Sequence, residues 1–298
     1  MPETKDESRA ALIAGLGCYT IWGLLPLWLY ALHGRGVGAL EVTAQRAFWA
    51  VLWAGALVLV AGKGPELARV LRDRKALGLL LASSLLIGAN WLIYVAAVSS
   101  GRTLEASLGY YINPLLNMAA GAMFFRERIG RFGQAAIALA VAGVALQTIA
   151  VGHPPYVSLA LATTFCAYGL IRKQVAADAQ TGLFVETAIL ALPGLAFVLW
   201  LETRGLGHFR LDAPTTLLIL CAGPLTVVPL ALFSWAARRM PLVWLGFIQF
   251  IAPTLAFVIG VAAGEAFTPL RAAAFGFIWA GVAVFAFGAW RRMRWLAA

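Results

Sequence analysis

Charge is what this 298-residue sequence has least of: 12% of its residues are Asp, Glu, Lys or Arg, against ~25% in a soluble globular domain, while 62% are hydrophobic. Water is therefore not its main solvent, and the scarce charges sit in short clusters between long apolar runs. Segments of ~10 residues with alternating polarity, the mark of a membrane β-barrel, are also missing. The runs are continuous and close to the ~20 residues with which an α-helix crosses the hydrocarbon core. Only three cysteines occur, Cys18, Cys166 and Cys221, all inside apolar runs and without metal-ligand spacing, so they read as small apolar side chains. The three histidines, His33, His153 and His208, fall between the runs without a companion carboxylate pattern, and no metal site is expected. No Gly-x-Ser-x-Gly, His-Glu-x-x-His or Gly-x-x-x-x-Gly-Lys is present, which argues against catalysis, against ATP hydrolysis by this chain and against a bound cofactor.

What is present is a series of ten apolar segments, at residues 10–32, 40–61, 76–99, 104–125, 132–151, 155–171, 182–201, 214–237, 242–263 and 270–290. The first has no cleavage-site pattern at its end, so it is expected to stay in the mature protein. The net charge of +10 would point to nucleic acid in a soluble protein. Here the basic residues read instead as topology signals, and no nucleic-acid partner is expected. Seventeen of the 23 Lys and Arg residues fall on the side of the termini, among them Lys63, Arg69, Arg172, Arg238 and Arg291. Five fall on the other side, Arg35, Arg102, Arg204, Arg210 and Arg271, and Arg46 lies within a segment. The positive-inside rule then places both termini in the cytoplasm of a multi-pass protein of the cell (inner) membrane.

The two halves echo each other. Gly109, Pro114, Glu127 and Gly143 run in the same order as Gly246, Pro253, Glu265 and Gly281, and the step from Glu to Gly is sixteen residues in both. Halves with an odd number of spans must face opposite ways. The fold class expected is an all-α integral membrane protein: ten transmembrane helices built as two inverted five-helix repeats, 1–151 and 152–298.

Six stretches in order carry a family resemblance: Tyr19 to Pro26, Glu41 to Arg46, Asn90-Trp91, Ser107 to Pro114, Gly169 to Lys173, and Leu245 to Pro253. Together they resemble the RarD-type permeases, within the EamA group of the drug/metabolite transporter superfamily. The resemblance implies ten helices, cytoplasmic termini and alternating access, and it leaves the substrate unnamed. Gln249 stands four residues before Pro253, whereas Asn113 immediately precedes Pro114, so the halves do not supply identical groups.

Proline inside a membrane helix removes a hydrogen bond and frees a carbonyl, so Pro114 and Pro253 are expected to break their helices at a midplane site, with Asn113 and Thr254 beside them. Tyr19 and Trp22, then Asn90, Trp91 and Tyr94, then Tyr110 and Asn113, and in the second half Gln249, form the expected substrate-binding set. Asn90 and Tyr94 share a helix face, as do Tyr110 and Asn113. Asn117 reads as interhelical glue.

Arg46 and Glu186 are the intramembrane charges, and a charge at a helix centre costs ~2.5–3.5 kcal/mol. Each is a candidate charge anchor or, for Glu186, proton site; the alternative is snorkelling to the nearest interface. They start ~15 Å apart in height across the ~30 Å core, too far for a direct pair. Glu105 is a weaker candidate at a helix mouth, and Glu127 and Glu265 read as loop organisers near Arg126, Arg128 and Arg271.

The function expected is a secondary transporter that moves a small organic metabolite or drug-like solute by alternating access, as an exporter. Its partners would be the solute, the lipid bilayer and a coupling proton, with no ATPase subunit. A flippase for lipid or a lipid-linked precursor is the alternative, and a channel ranks below it. Small residues at Ala136, Ala140 and Gly143 allow close packing either within or between molecules.

Overall fold

A computed structural model describes residues 5–125, 129–240 and 242–297. Among these residues the regular structure is helical throughout: α1 (Lys5–His33), α2 (Ala39–Val60), α3 (Gly64–Arg72), α4 (Arg74–Ser99), α5 (Thr103–Phe125), α6 (Arg131–Val151), α7 (Tyr156–Arg172), α8 (Ala179–Thr203), α9 (Ala213–Leu220), α10 (Ala222–Ala237), α11 (Leu242–Ile248), α12 (Ile251–Ala262) and α13 (Pro269–Ala297). Eight helical stretches are long and apolar enough to cross a membrane, counting α9 with α10 and α11 with α12 as one each. All ten apolar segments of the sequence are helical, but two fall outside that eight. α7 is apolar and only 17 residues long, and α5 is 23 residues long but diluted by Glu105, Tyr110, Tyr111, Asn113 and Asn117. α3 was not expected. Its Leu67 and Val70, one turn apart, pack with Val175 and Ala76, so the amphipathic stretch folds onto the bundle end.

Two of the long stretches are interrupted at proline. Pro224 and Pro253 are each the third residue of the half-helix that follows the interruption, where a missing N–H costs nothing because no carbonyl precedes it in the helix. Pro114 behaves differently: α5 runs unbroken through it. The expected break at Pro114 is corrected, because one lost hydrogen bond is absorbed when the neighbouring turns keep theirs. In the second half the interruption falls at Gln249 and Phe250, just ahead of Pro253.

Helix starts are capped from nearby Asp side chains. Asp73 accepts the N–H groups of Lys75 and Ala76, Asp178 that of Thr181, and Asp212 that of Thr215. Lys63 joins Asp178 at 2.7 Å and Glu66 at 3.5 Å, tying the start of α3 to the start of α8.

Packing runs across the middle of the sequence. α1 lies on α10 and α12, α2 on α8, α4 and α5 on α7, and α6 along α13. The small-residue stripe of α6 is used inside the molecule. A Cβ on Gly143 would come within 2.6 Å of the Ile278 side chain and 2.9 Å of the Ala274 carbonyl, and one on Gly281 within 2.9 Å of the Ala136 carbonyl. Ala136 and Ala140 are buried in the same seam.

Candidate functional site

A cavity of about 550 Å³ lies between the helices, lined from α1, α2, α4, α5, α7, α8, α10, α11 and α12. Tyr19, Trp22, Asn90, Trp91, Tyr94, Tyr110, Asn113 and Gln249 all line it, as do Arg46, Glu186 and Pro253. Its lining extends to Leu57, Arg172, Gln180 and the exposed Ala179, at the end of the bundle that carries Lys63 and α3.

The opposite end is shut by a layer of Leu25, Trp28, Leu29, Leu32, Val42 and Val98. Polar locks reinforce it. Trp28 Nε1 donates to the Leu218 carbonyl at 2.8 Å, and Glu41 accepts both the backbone N–H of His208 at 2.8 Å and its Nδ1 at 2.7 Å. Glu265 accepts the N–H groups of Thr103 at 2.5 Å and Leu104 at 2.9 Å, and Tyr30 bonds Thr103 at 2.6 Å. Glu265 thus caps α5 from far along the chain, while Arg271 donates to the Ala266 carbonyl instead. That corrects the reading of Glu265 as an organiser of its own local loop near Arg271. Glu127, with Arg126 and Arg128, lies outside the described residues.

Arg46 reaches into the cavity from α2. It is 5% exposed, donates Nε to the Thr226 hydroxyl at 2.8 Å, and lays its guanidinium 4.4 Å from the centre of the Trp91 ring. Glu186, 1% exposed, accepts from Ser83 at 2.5 Å and Tyr168 at 3.3 Å and stands 3.7 Å from Arg172 Nε. Neither charge snorkels to an interface, because each has buried partners that an interfacial rotamer would abandon. Only a glycine at 182 leaves room for the Arg172 guanidinium, which a Cβ there would overlap.

The amides differ in how far they are committed. Asn90 is spent: its Nδ2 donates to the Leu161 carbonyl and to Thr164, and its Oδ1 accepts from Tyr110. Asn113 is 7% exposed and its Oδ1 has no partner among the described residues. Gln249 returns Nε2 to the Gly246 carbonyl at 3.0 Å. Asn117 is exposed and makes no side-chain hydrogen bond to a described residue, which corrects its reading as interhelical glue.

Glu105 pairs with Arg102 at 2.8 Å, away from the cavity lining. His208 sits on Glu41 and His153 stacks on Tyr156, and no grouping of potential metal ligands occurs among the described residues. Sequence reasoning missed Arg172, Tyr168, Ser83 and Thr226. In the sequence Arg172 reads as a topology signal, and the signals that mark it out are its place in the Gly169 to Lys173 stretch and its position at the end of α7, one short turn before the helix that carries Glu186.

No family model matches the chain. It is 43% identical to a protein of Pseudomonas aeruginosa named an uncharacterized transporter, over 96% of both chains. It is 37% identical to the RarD protein of Streptomyces exfoliatus, over 98% of this chain and 93% of that one. A solved crystal structure shares the fold with a TM-score of 0.62, 22% identity and coverage of 95% and 98%. A largely apolar, multi-helix chain with an aromatic cavity, matched end to end by RarD proteins, belongs to the RarD family of membrane transporters.

Proposed function

We propose that this chain is a secondary transporter that exports a small organic solute across the cell membrane by alternating access. What carries the reading is the cavity: it is closed at one end, reaches the surface at the other, and draws its lining from helices of both sequence halves. The halves 1–151 and 152–298 act as inverted repeats that rock about this site. In support, helix contacts come in matched pairs when the halves are exchanged: α1 on α10 corresponds to α7 on α4, and α1 on α12 to α7 on α5. Charge supports the orientation. The open end carries Lys63, Arg69 and Arg172, so it faces the cytoplasm and the shut end faces outward.

In this reading Trp22, Trp91, Tyr94 and Tyr110 hold the solute's apolar body, Asn113 and Gln249 offer hydrogen bonds, and Arg46 anchors charge. Glu186 is the proton site, because a buried carboxylate that accepts from two hydroxyls and stands 3.7 Å from a guanidinium beside the open end can take up a proton, which weakens its hold on Arg172 and so couples protonation to a change of conformation.

The test is flux in liposomes holding the purified protein, with a panel of amino acids, aromatic metabolites and chloramphenicol-like drugs, with and without a proton gradient. Saturable, gradient-sensitive flux that Trp91→Ala and Asn113→Ala reduce by about tenfold or more is expected. Lipid movement without flux of any solute would replace this reading with a flippase.

A further inference from the structure

Among the described charges that line the cavity, Arg46 is the one without a counter-charge. Among the described carboxylates, Glu41 is engaged with His208, Glu105 with Arg102, Glu186 with Arg172, and Glu265 with the start of α5, while Glu202, whose buried Oε1 has no partner, sits in the last turn of α8 and does not line the cavity. Arg46 commits only Nε, to a neutral hydroxyl, and one face, to Trp91. Its two terminal nitrogens donate to no described residue and are not sealed from the cavity. A forked pair of donors is therefore presented to the space a solute would fill.

We propose that Arg46 is a carboxylate subsite and that the solute is an organic monoanion, one carboxylate on a compact, mostly apolar or aromatic body. The proposal rests on the cavity being the transport site. The sign follows from the lining charges. Arg172 and Glu186 offset each other, so the cavity has one positive charge in excess. The group follows from geometry: the guanidinium fork matches a carboxylate with two parallel hydrogen bonds, and the Trp91 ring and Thr226 hold its plane in place. The body follows from the walls, where Trp22, Phe165 and Phe233 supply ring faces, and from the 550 Å³ that bounds its size. Asn113, with its buried unpartnered oxygen, supplies a further polar contact for a donor on the solute.

The full chain in nanodiscs would be titrated calorimetrically with phenylacetate, phenylacetamide and phenethylamine, which share a ring and differ in charge, and the three would then be run in the liposome assay. Phenylacetate is expected to bind the wild type more tightly than either of the others by about tenfold or more. Arg46→Gln should lose that preference while keeping whatever weak affinity the amide has. Arg46→Lys, which keeps the charge without the fork, should retain part of it. Equal or tighter binding of the amide or the amine by the wild type overturns the proposal without any variant. Binding of phenylacetate to folded Arg46→Gln at wild-type strength overturns it as well. If the amide or amine is carried and phenylacetate is not, the transport reading stands and the anion proposal falls. If none of the three binds or moves, both fall.

Discussion

At the scale of single residues, Glu186 has the most to lose from a neutral substitution. Glu186→Gln keeps one oxygen for Ser83 or Tyr168 but leaves the Arg172 guanidinium, whose Nη1 is already unpartnered, without its counter-charge. A loss of roughly 1–3 kcal/mol in stability is expected, read as a lower unfolding temperature in detergent. If Glu186 carries the coupling proton, the same variant should still exchange solute but lose its response to an imposed pH gradient. A variant whose flux follows the gradient as the wild type's does would remove Glu186 from the coupling step.

Asp178, at the same end, does not confuse that measurement. Burial pushes its carboxyl up, but the Lys63 ammonium and the Thr181 N–H outweigh burial and hold it at about 2. A depressed carboxylate contributes stability that is fully present above its ordinary pKa of ~3.9 and is lost only as pH falls through 2. It stays ionised through the neutral range of a flux assay.

At the scale of helices, the seam between α6 and α13 is set by close backbone approach. Gly143→Val or Gly281→Val would press a branched side chain against a facing carbonyl and is expected to cost about 1–3 kcal/mol. Gly276 lies on the same α13 with nothing within 4 Å of an added Cβ. Gly276→Ala should therefore be neutral or raise stability by up to ~1 kcal/mol through helix propensity. Thermal unfolding of the three variants separates seam packing from a general intolerance of α13 to change; equal losses at all three would disprove the seam. The helix ends were less legible than the helices. Three Asp caps sit beside the helices they start and could have been read from spacing, but Glu265 lies 162 residues from Thr103, the N–H it accepts.

At the scale of the whole molecule, one end is shut and the other is open, and the proposed orientation turns the open end, with its basic residues, to the cytoplasm. Single cysteines in a cysteine-free background test this directly. Lys63→Cys should react with an impermeant maleimide only after the cells are permeabilised, whereas Arg204→Cys should react in intact cells. The reverse pattern would invert the proposed orientation and with it the meaning of the open cavity.

Much of this protein follows from local chemistry. Hydrocarbon demands long apolar helices with every backbone group satisfied, so the positions of the ten helical segments, and the oddity of Arg46 and Glu186 within them, are written in hydropathy and spacing. Which side chains remain available to a solute is not written there. Asn90 and Asn113 look alike along the chain, yet α7 packs against α4 so that Leu161 and Thr164 consume Asn90, while Asn113 is left open. Arg172 looks like one more loop cation until α8 brings Gly182 and Glu186 beneath it. Arg46 is conspicuous in the sequence, but its lack of an acidic partner exists only once the buried carboxylates have found theirs. Partnering depends on how helices distant in sequence meet in rotation and depth, and tertiary packing alone sets that.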